Sequence, residues 1–550
     1  VNDYYDLGRH GRPIATTSPD AQAWFDRGLI WCYGFNHEEA ERCFERALAA
    51  DPRCAMAHWG IAYAVGPNFN KDWPAFGEDE LRRAVAVGHR ATAEARRLAD
   101  PEWPVECALI AAMAARYPSA VPIADCSVWT DDYANAMRPV YQRFGDDLDV
   151  ASLYAEALIG RTPWELWDIK TGLPTAGADT LEAVAVLERA IASVDASGGS
   201  PHPGLLHIYI HTMEMSPVPE DAQNAANQLR DLVPDSGHLR HMPTHIDLLC
   251  GNYVEVVAEN SKAIVADRKY LAREGALNFY ALYCCHDLHF KVYGAMFLGQ
   301  FEAALEAAEG ITAIITDDLL RVETMPMADW AEGFIPMRLH VLVRFGRWAE
   351  IIAEPIPADR DLYCMTTAIL HYAKGIAHAT LGDIDSADRQ RGLFDEAVTR
   401  VPESRSVFNN SGLDVLAIAA EMLRGELEYR RGNVDQAFAH LRRAVELDDS
   451  LPYDEPWGWM QPVRHALGAL LLEQGRIAEA TAAYRADLGM DDTVSRPSRH
   501  PNTVWSLHGL HECLVRSGDM AGAAEVEPQL DRALALTTVN ITSSCFCRAD

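Results

Sequence analysis

From residue 251 onward a glycine is followed, five residues later, by a small or branched aliphatic residue, and this spacing constrains the fold more than any other feature. The pairs are Gly251 with Val256, Gly299 with Ala304, Gly346 with Ile351, Gly382 with Ala387, Gly432 with Ala437, Gly475 with Ala480 and Gly518 with Ala523. Glycine takes up the left-handed backbone that ends a helix in a tight turn. A compact residue at a fixed distance beyond it lets the next helix pack closely against the last. At 550 residues the chain exceeds one ordinary compact core. The recurrence therefore predicts an array of antiparallel helix pairs.

The stretch WFDRGLIWCYGFNHEEAERCFERALAADPRCAMAHWGIAY, beginning at Trp24, carries the same design in fuller form. It resembles the tetratricopeptide repeat. With Pro52 at repeat position 32, Trp24 falls at 4, Gly28 at 8, Ala40 at 20, Phe44 at 24 and Ala47 at 27, and Gly60 and Tyr63 restart the pattern. Ala222 with Pro234, and Ala183 with Ala190, mark two further units. The expected fold is all-α: a tetratricopeptide-repeat-like helical solenoid with irregular loop insertions. Its expected segments are repeat-like helices with an insertion over 1–125, a helical pair with a Trp/Pro/Gly-rich insertion over 126–200, histidine-rich repeats over 201–350 and further repeats over 351–550. The insertions at residues 66–80, 161–180 and 452–458 are of a kind that carries function on rigid scaffolds. Trp73, Trp164 and Trp167 in them serve either as surface plugs or as pocket walls.

Apolar residues make up 49% and charged residues 23%, a globular balance. No apolar run approaches the roughly 18 residues of a membrane-spanning helix, and the N-terminal residues lack the pattern of a secretory signal. The expected location is cytoplasmic, with no membrane partner. A net charge of −32 repels phosphate backbones and excludes nucleic acid as a natural partner. Twelve cysteines in this setting read as reduced thiols. The pairs Cys284 and Cys285, and Cys545 and Cys547, could bind metal or oxidise, although neither has the C-x2-C spacing of a metal site.

Eight of the 20 histidines fall between residues 202 and 289. They form His207-x3-His211-x2-Glu214, His238-x2-His241-x3-His245 and His286-x2-His289, spacings that place side chains on one helix face. In the repeat register, positions 4, 7, 8 and 11 of a first helix meet the partner helix, so positions 2, 5, 9 and 12 face the concave side. His207, His211 and Glu214 sit at 5, 9 and 12, His238, His241 and His245 at 2, 5 and 9, His286 and His289 at 2 and 5, and His340 at 9 of the next unit. Only His202 misses. Helices about 8–10 Å apart allow imidazoles from neighbours to share an ion. These residues are therefore expected to bind transition metal, copper ahead of iron or zinc, as one ion or two.

Other polar residues carry blander readings. His371 and His378 occupy packing positions and read as core histidines. His465 and His508 read as groove residues, and His37 as a cap or packing residue. Asp287, Tyr283 and Tyr209 could orient ligands, and Glu156 could be a further inward carboxylate.

The stretches FNHEEAERCFERALAADP, AHWGIAYAVGPNFNK, HIYIHTMEMSP, GHLRHMPTHI and LHVLVRFGRW make the whole chain similar to a group of large tetratricopeptide-domain proteins of bacteria and filamentous fungi. That resemblance implies the fold, and supports His207, His211, His238, His241 and His245 as a site. GLLHIYIHTMEMS is apolar for a solvent-open groove and points to a closed pocket. The leading functional expectation is a metal-dependent oxidoreductase acting on a small molecule in the groove, with Glu214 as ligand or general base. The alternatives are a zinc-dependent hydrolase or lyase, and a non-catalytic scaffold whose groove binds a peptide or protein partner.

Overall fold

Helix pairs dominate the computed structural model, which describes residues 4–548. They fall into two units. The first comprises Val1–Ile246, Lys262–Glu274 and Glu323–Met325, and the second Asp247–Ser261, Gly275–Val322 and Pro326–Asp550.

The first unit opens with Pro19–Tyr33 against His37–Ala50, followed by Ala55–Ala64. Ser18 and Asn36 begin the two leading helices, their side chains accepting from the backbone N–H of Ala21 and Glu39. The Phe44 ring fills the space between helices: a Cβ added to Gly28 or to Gly60 would stand 2.6 Å from it. The glycines at these two places are thus the complement of one buried aromatic knob, which explains their position in the repeat. The unit continues through Glu78–Leu98, Pro104–Arg116, Val128–Phe144, Leu148–Ile159, Thr180–Ser197 and Pro203–Met213 to the short helix Gly237–His241.

In the second unit the pairs are Tyr280–Phe297 with Phe301–Ile314, Met337–Arg344 with Trp348–Ala353, Cys364–Thr380 with Ile384–Val398, Gly412–Arg430 with Val434–Asp448, Val463–Glu473 with Ile477–Asp487, and Val504–Ser517 with Met520–Leu534. The seven turn glycines lie at φ between 64° and 82°, each at the joint that the spacing predicted. Their partners Val256, Ala304, Ile351, Ala387, Ala437, Ala480 and Ala523 are all buried. Tyr484 repeats the Phe44 arrangement, wedged against Gly468 and Gly509.

Two short hairpins, one of them in the insertion at 161–180, supply the strand pairing among the described residues. Trp167–Asp168 pairs antiparallel with Leu173–Pro174, and Ser406–Val407 with Asn410–Ser411. The sulfurs of Cys545 and Cys547 are bonded to each other, the oxidised one of the two outcomes the sequence left open for this pair.

Candidate functional site

Two of the three histidine clusters meet inside the first unit. His207 and His211 lie one turn apart on Pro203–Met213, a helix buried on all sides, and Glu214 is its C-cap. His238 and His241 lie on Gly237–His241. The chain restarts at Pro243, which lacks an N–H to continue a helix, and His245 follows on Pro243–Leu249. None of these six side chains reaches solvent in any meaningful degree. The groove residues of the repeat register form an interior cluster, in keeping with the apolar sequence around them.

Hydrogen bonds fix the imidazole tautomers. His207 Nδ1 lies 2.5 Å from the Tyr33 carbonyl oxygen. A carbonyl only accepts, so Nδ1 carries the proton and Nε2 keeps its lone pair. His211 Nδ1 donates in the same way to Glu214 Oε1 at 2.8 Å, and His245 Nδ1 to Glu214 Oε2 at 2.8 Å. Glu214 thereby orients two rings at once. His241 Nε2 and His245 Nε2 stand 2.6 Å apart, so one of the two bears a hydrogen. Burial pushes His207 down to about 3 and His211 well below the ordinary histidine value, the latter helped by its histidine neighbours. Both rings are neutral near pH 7 and available as ligands.

Ring nitrogens of His207, His211 and His238 lie within 4.8 Å of one another, as do ligand atoms of His211, Glu214 and His245. Aromatic rings enclose them. Phe35 contacts His207, His211 and His238 at centroid distances of 4.5, 5.7 and 5.7 Å, and Phe69 and Trp164 close on His211 at 4.9 and 6.0 Å. Phe35 and Trp164 have φ of 55° and 63°, left-handed values costly for bulky side chains. Trp164 is thus a wall residue. Trp73 is buried against Tyr117 and Trp129, and Trp167 donates to the Thr212 carbonyl. Tyr209 donates to Glu188, and Glu156 accepts from Tyr63 beside Arg116.

His286, His289 and His340 belong to the second unit. His286 packs on Phe290 and Phe408, His289 Nε2 is 2.9 Å from Met460 Sδ, and His340 meets Trp459 edge-on. His371 is buried and bonded to Gln390, as its packing position predicts. His465 differs from its reading as a solvated groove residue. It is buried and bonded to Asp487 Oδ2 at 2.9 Å, with Arg344 on its other nitrogen. Asp487 also accepts from His500 Nδ1 at 2.8 Å and Ser506 at 2.5 Å. Burial opposes its charge, but His465 and His500 hold it well below the usual carboxylate range. No spacing in the sequence joins these residues, which the fold assembles from four separate helices and turns.

The first unit also has an open cleft of about 1070 Å3, lined by residues 6–13, 102–106, 147–149, 200–203 and 231–234. Asp149 anchors one wall, accepting from Tyr33, His10 and His202 through Oδ1 and from Arg12 through Oδ2. His202, the histidine outside the register, caps Pro203–Met213 by accepting from the Leu205 N–H at 3.2 Å. Glu106 lines the cleft and is buried. Its Oε1 accepts from the Ala15 N–H at 2.8 Å, while Oε2 has no hydrogen-bond partner among the described residues. Burial raises Glu106 to about 7. Trp103, 37% exposed, also lines the cleft. Nothing in the sequence singled out Glu106 or Trp103, which look like ordinary residues at a helix start.

Residues 21–54 match the family model of the tetratricopeptide repeat. The chain carries a tetratricopeptide repeat. The helix pairs and turn glycines continue that repeat's register, so the fold is of tetratricopeptide type. No curated protein matches the chain in sequence. Among solved structures, yeast Tom70 is 11% identical with a TM-score of 0.29, over 94% of this chain and 99% of that one. The Cut9–Hcn1 hetero-tetramer of the APC/C is 12% identical with a TM-score of 0.28, over 95% and 94%. The Rap protein complexed with competence and sporulation factor is 12% identical with a TM-score of 0.29, over 71% and 98%. Likenesses this distant carry no functional argument.

The tetratricopeptide match corrects the expectation of a metal-dependent oxidoreductase, and with it the hydrolase or lyase variant, because the matched module is an interaction repeat. The geometry of Glu214 agrees with the correction. A general base must reach its substrate, whereas Glu214 is fully buried with both oxygens engaged in holding histidines. No helix among the described residues is long and apolar enough to cross a membrane.

Proposed function

We propose that this protein is a non-catalytic interaction scaffold, and that the cleft of the first unit takes up a segment of a partner protein. The observation that carries the reading is Glu106, with a buried carboxylate oxygen that has no partner among the described residues, in the lining of a cleft large enough for several side chains. A buried acceptor left unsatisfied costs about 1–3 kcal/mol, and an incoming donor removes that cost. A lysine or arginine suits Glu106, and Trp103 in the same lining offers an apolar or cation-binding face to the same residue or its neighbour. The chain's charge of −32 favours a basic partner at longer range.

Panning a displayed peptide library against the full chain, then measuring selected peptides by fluorescence anisotropy, tests this. Peptides bearing Lys or Arg among apolar residues should be enriched. Glu106→Gln should weaken them tenfold or more, and Trp103→Ala by a smaller factor. Failure to enrich any such peptide, or equal affinity for wild type and Glu106→Gln, overturns the proposal.

A further inference from the structure

Two lone pairs in the histidine cluster have no hydrogen-bond partner among the described residues. With Nδ1 of His207 donating to Tyr33 and Nδ1 of His211 donating to Glu214, each Nε2 is left as a bare acceptor. Neither Nε2 has a hydrogen-bond partner among the described residues, and both side chains are fully buried. They converge with a ring nitrogen of His238, the three lying within 4.8 Å of one another.

We propose that His207, His211 and His238 hold a single divalent transition-metal ion that fastens the helix Pro203–Met213 to the helix Gly237–His241. The proposal concerns structure, and is independent of the cleft's role in binding. Four features support it. Neutral imidazole is the commonest protein ligand for such ions, and a set of imidazoles favours zinc, copper, nickel or cobalt over magnesium or calcium. The other nitrogens of His207 and His211 are held by a backbone carbonyl and by a carboxylate, the arrangement that fixes tautomer and ring orientation in metal sites. Phe35, Phe69 and Trp164 pack around the ligands and would shield the ion from solvent. Phe35 and Trp164 also keep unfavourable backbone angles to place their rings there.

The site also reaches the cleft wall through Tyr33. Tyr33 gives its carbonyl to His207 and its hydroxyl to Asp149, on the cleft wall. An ion that fixes His207 therefore steadies the turn carrying Tyr33 and Phe35.

The full-length protein, stripped with a chelator and dialysed, should take up one equivalent of Zn(II) in competition with a chromophoric chelator. Co(II) should give visible d–d bands that Zn(II) abolishes. Adding Zn(II) should raise the melting temperature by several degrees. His207→Ala and His211→Ala should each weaken binding at least a hundredfold, while His371→Ala, in the second unit, should leave the stoichiometry unchanged. Wild type that binds no Zn(II), Cu(II) or Co(II) beyond weak surface association overturns the proposal, as does binding that survives both substitutions. Because the wild-type titration stands alone, a variant that fails to fold does not remove the test. Loss of metal binding leaves the peptide measurement free to succeed, so the two proposals fail separately.

Discussion

Phe44 is fully buried, and the two glycines that face it leave no room for a methyl group. Gly28→Ala should therefore destabilise the protein by about 1–3 kcal/mol, the usual cost of overpacking a closed site. Chemical denaturation of the wild type and variant reads this directly; an unchanged midpoint would mean that the Phe44 ring can move aside. At this scale the sequence is informative wherever a residue's job is set by its neighbours in the repeat. Gly28, Ala40 and Phe44 are legible because their spacing is the packing. The histidines are legible for the same reason, being at fixed intervals on helices. Glu214 is legible only in part, since its spacing from His211 says that the two meet but not that His245 completes the arrangement from another helix. Asp487 and His500 are less visible still. Their partners lie on separate elements, and no local pattern marks a carboxylate that will end up buried among two imidazoles.

Among the elements, the turns and the helix interiors use glycine for opposite reasons, and two positions separate these. Gly432 joins Gly412–Arg430 to Val434–Asp448 at φ 82°, and nothing lies within 4 Å of a Cβ placed there. Gly432→Ala meets no steric neighbour, so its cost is the left-handed backbone alone, about 1–2 kcal/mol. Gly392, inside Ile384–Val398, also has open space around it but ordinary helical angles. Gly392→Ala should stabilise by about 0.5–1 kcal/mol through helix propensity and reduced freedom of the unfolded chain. Paired thermal melts should move in opposite directions; a shift of the same sign for both would show that packing, and not backbone conformation, governs the turns. Positive φ at all seven predicted joints explains why the helix pairs are readable from sequence. The two-residue strands at Trp167–Asp168 and Ser406–Val407 are not, because so short a pairing has no periodicity and depends on what surrounds the loop.

At the scale of the whole molecule, the protein buries many ionisable groups, and acidification tests how. Burial alone lowers His340 from its ordinary value of 6.5 to about 4. Between those values the unfolded chain takes up a proton at this residue and the folded chain does not. Stability from this source is complete above pH 6.5 and falls as the pH drops towards 4, with no further loss below. The interval corresponds to roughly 3 kcal/mol. The large negative charge acts the other way, since its self-repulsion relaxes on acidification. The two effects separate by comparison with His340→Gln, which keeps a polar side chain but cannot titrate. Net charge changes almost equally in both proteins, so its contribution cancels in the difference. The difference in unfolding free energy between wild type and His340→Gln should be constant from pH 8 to 6.5. It should then shift against the wild type by roughly 3 kcal/mol on going to pH 4. A difference that stays flat across this range would mean that His340 is protonated as readily in the folded state as in the unfolded one, and that its place beside Trp459 is open to water.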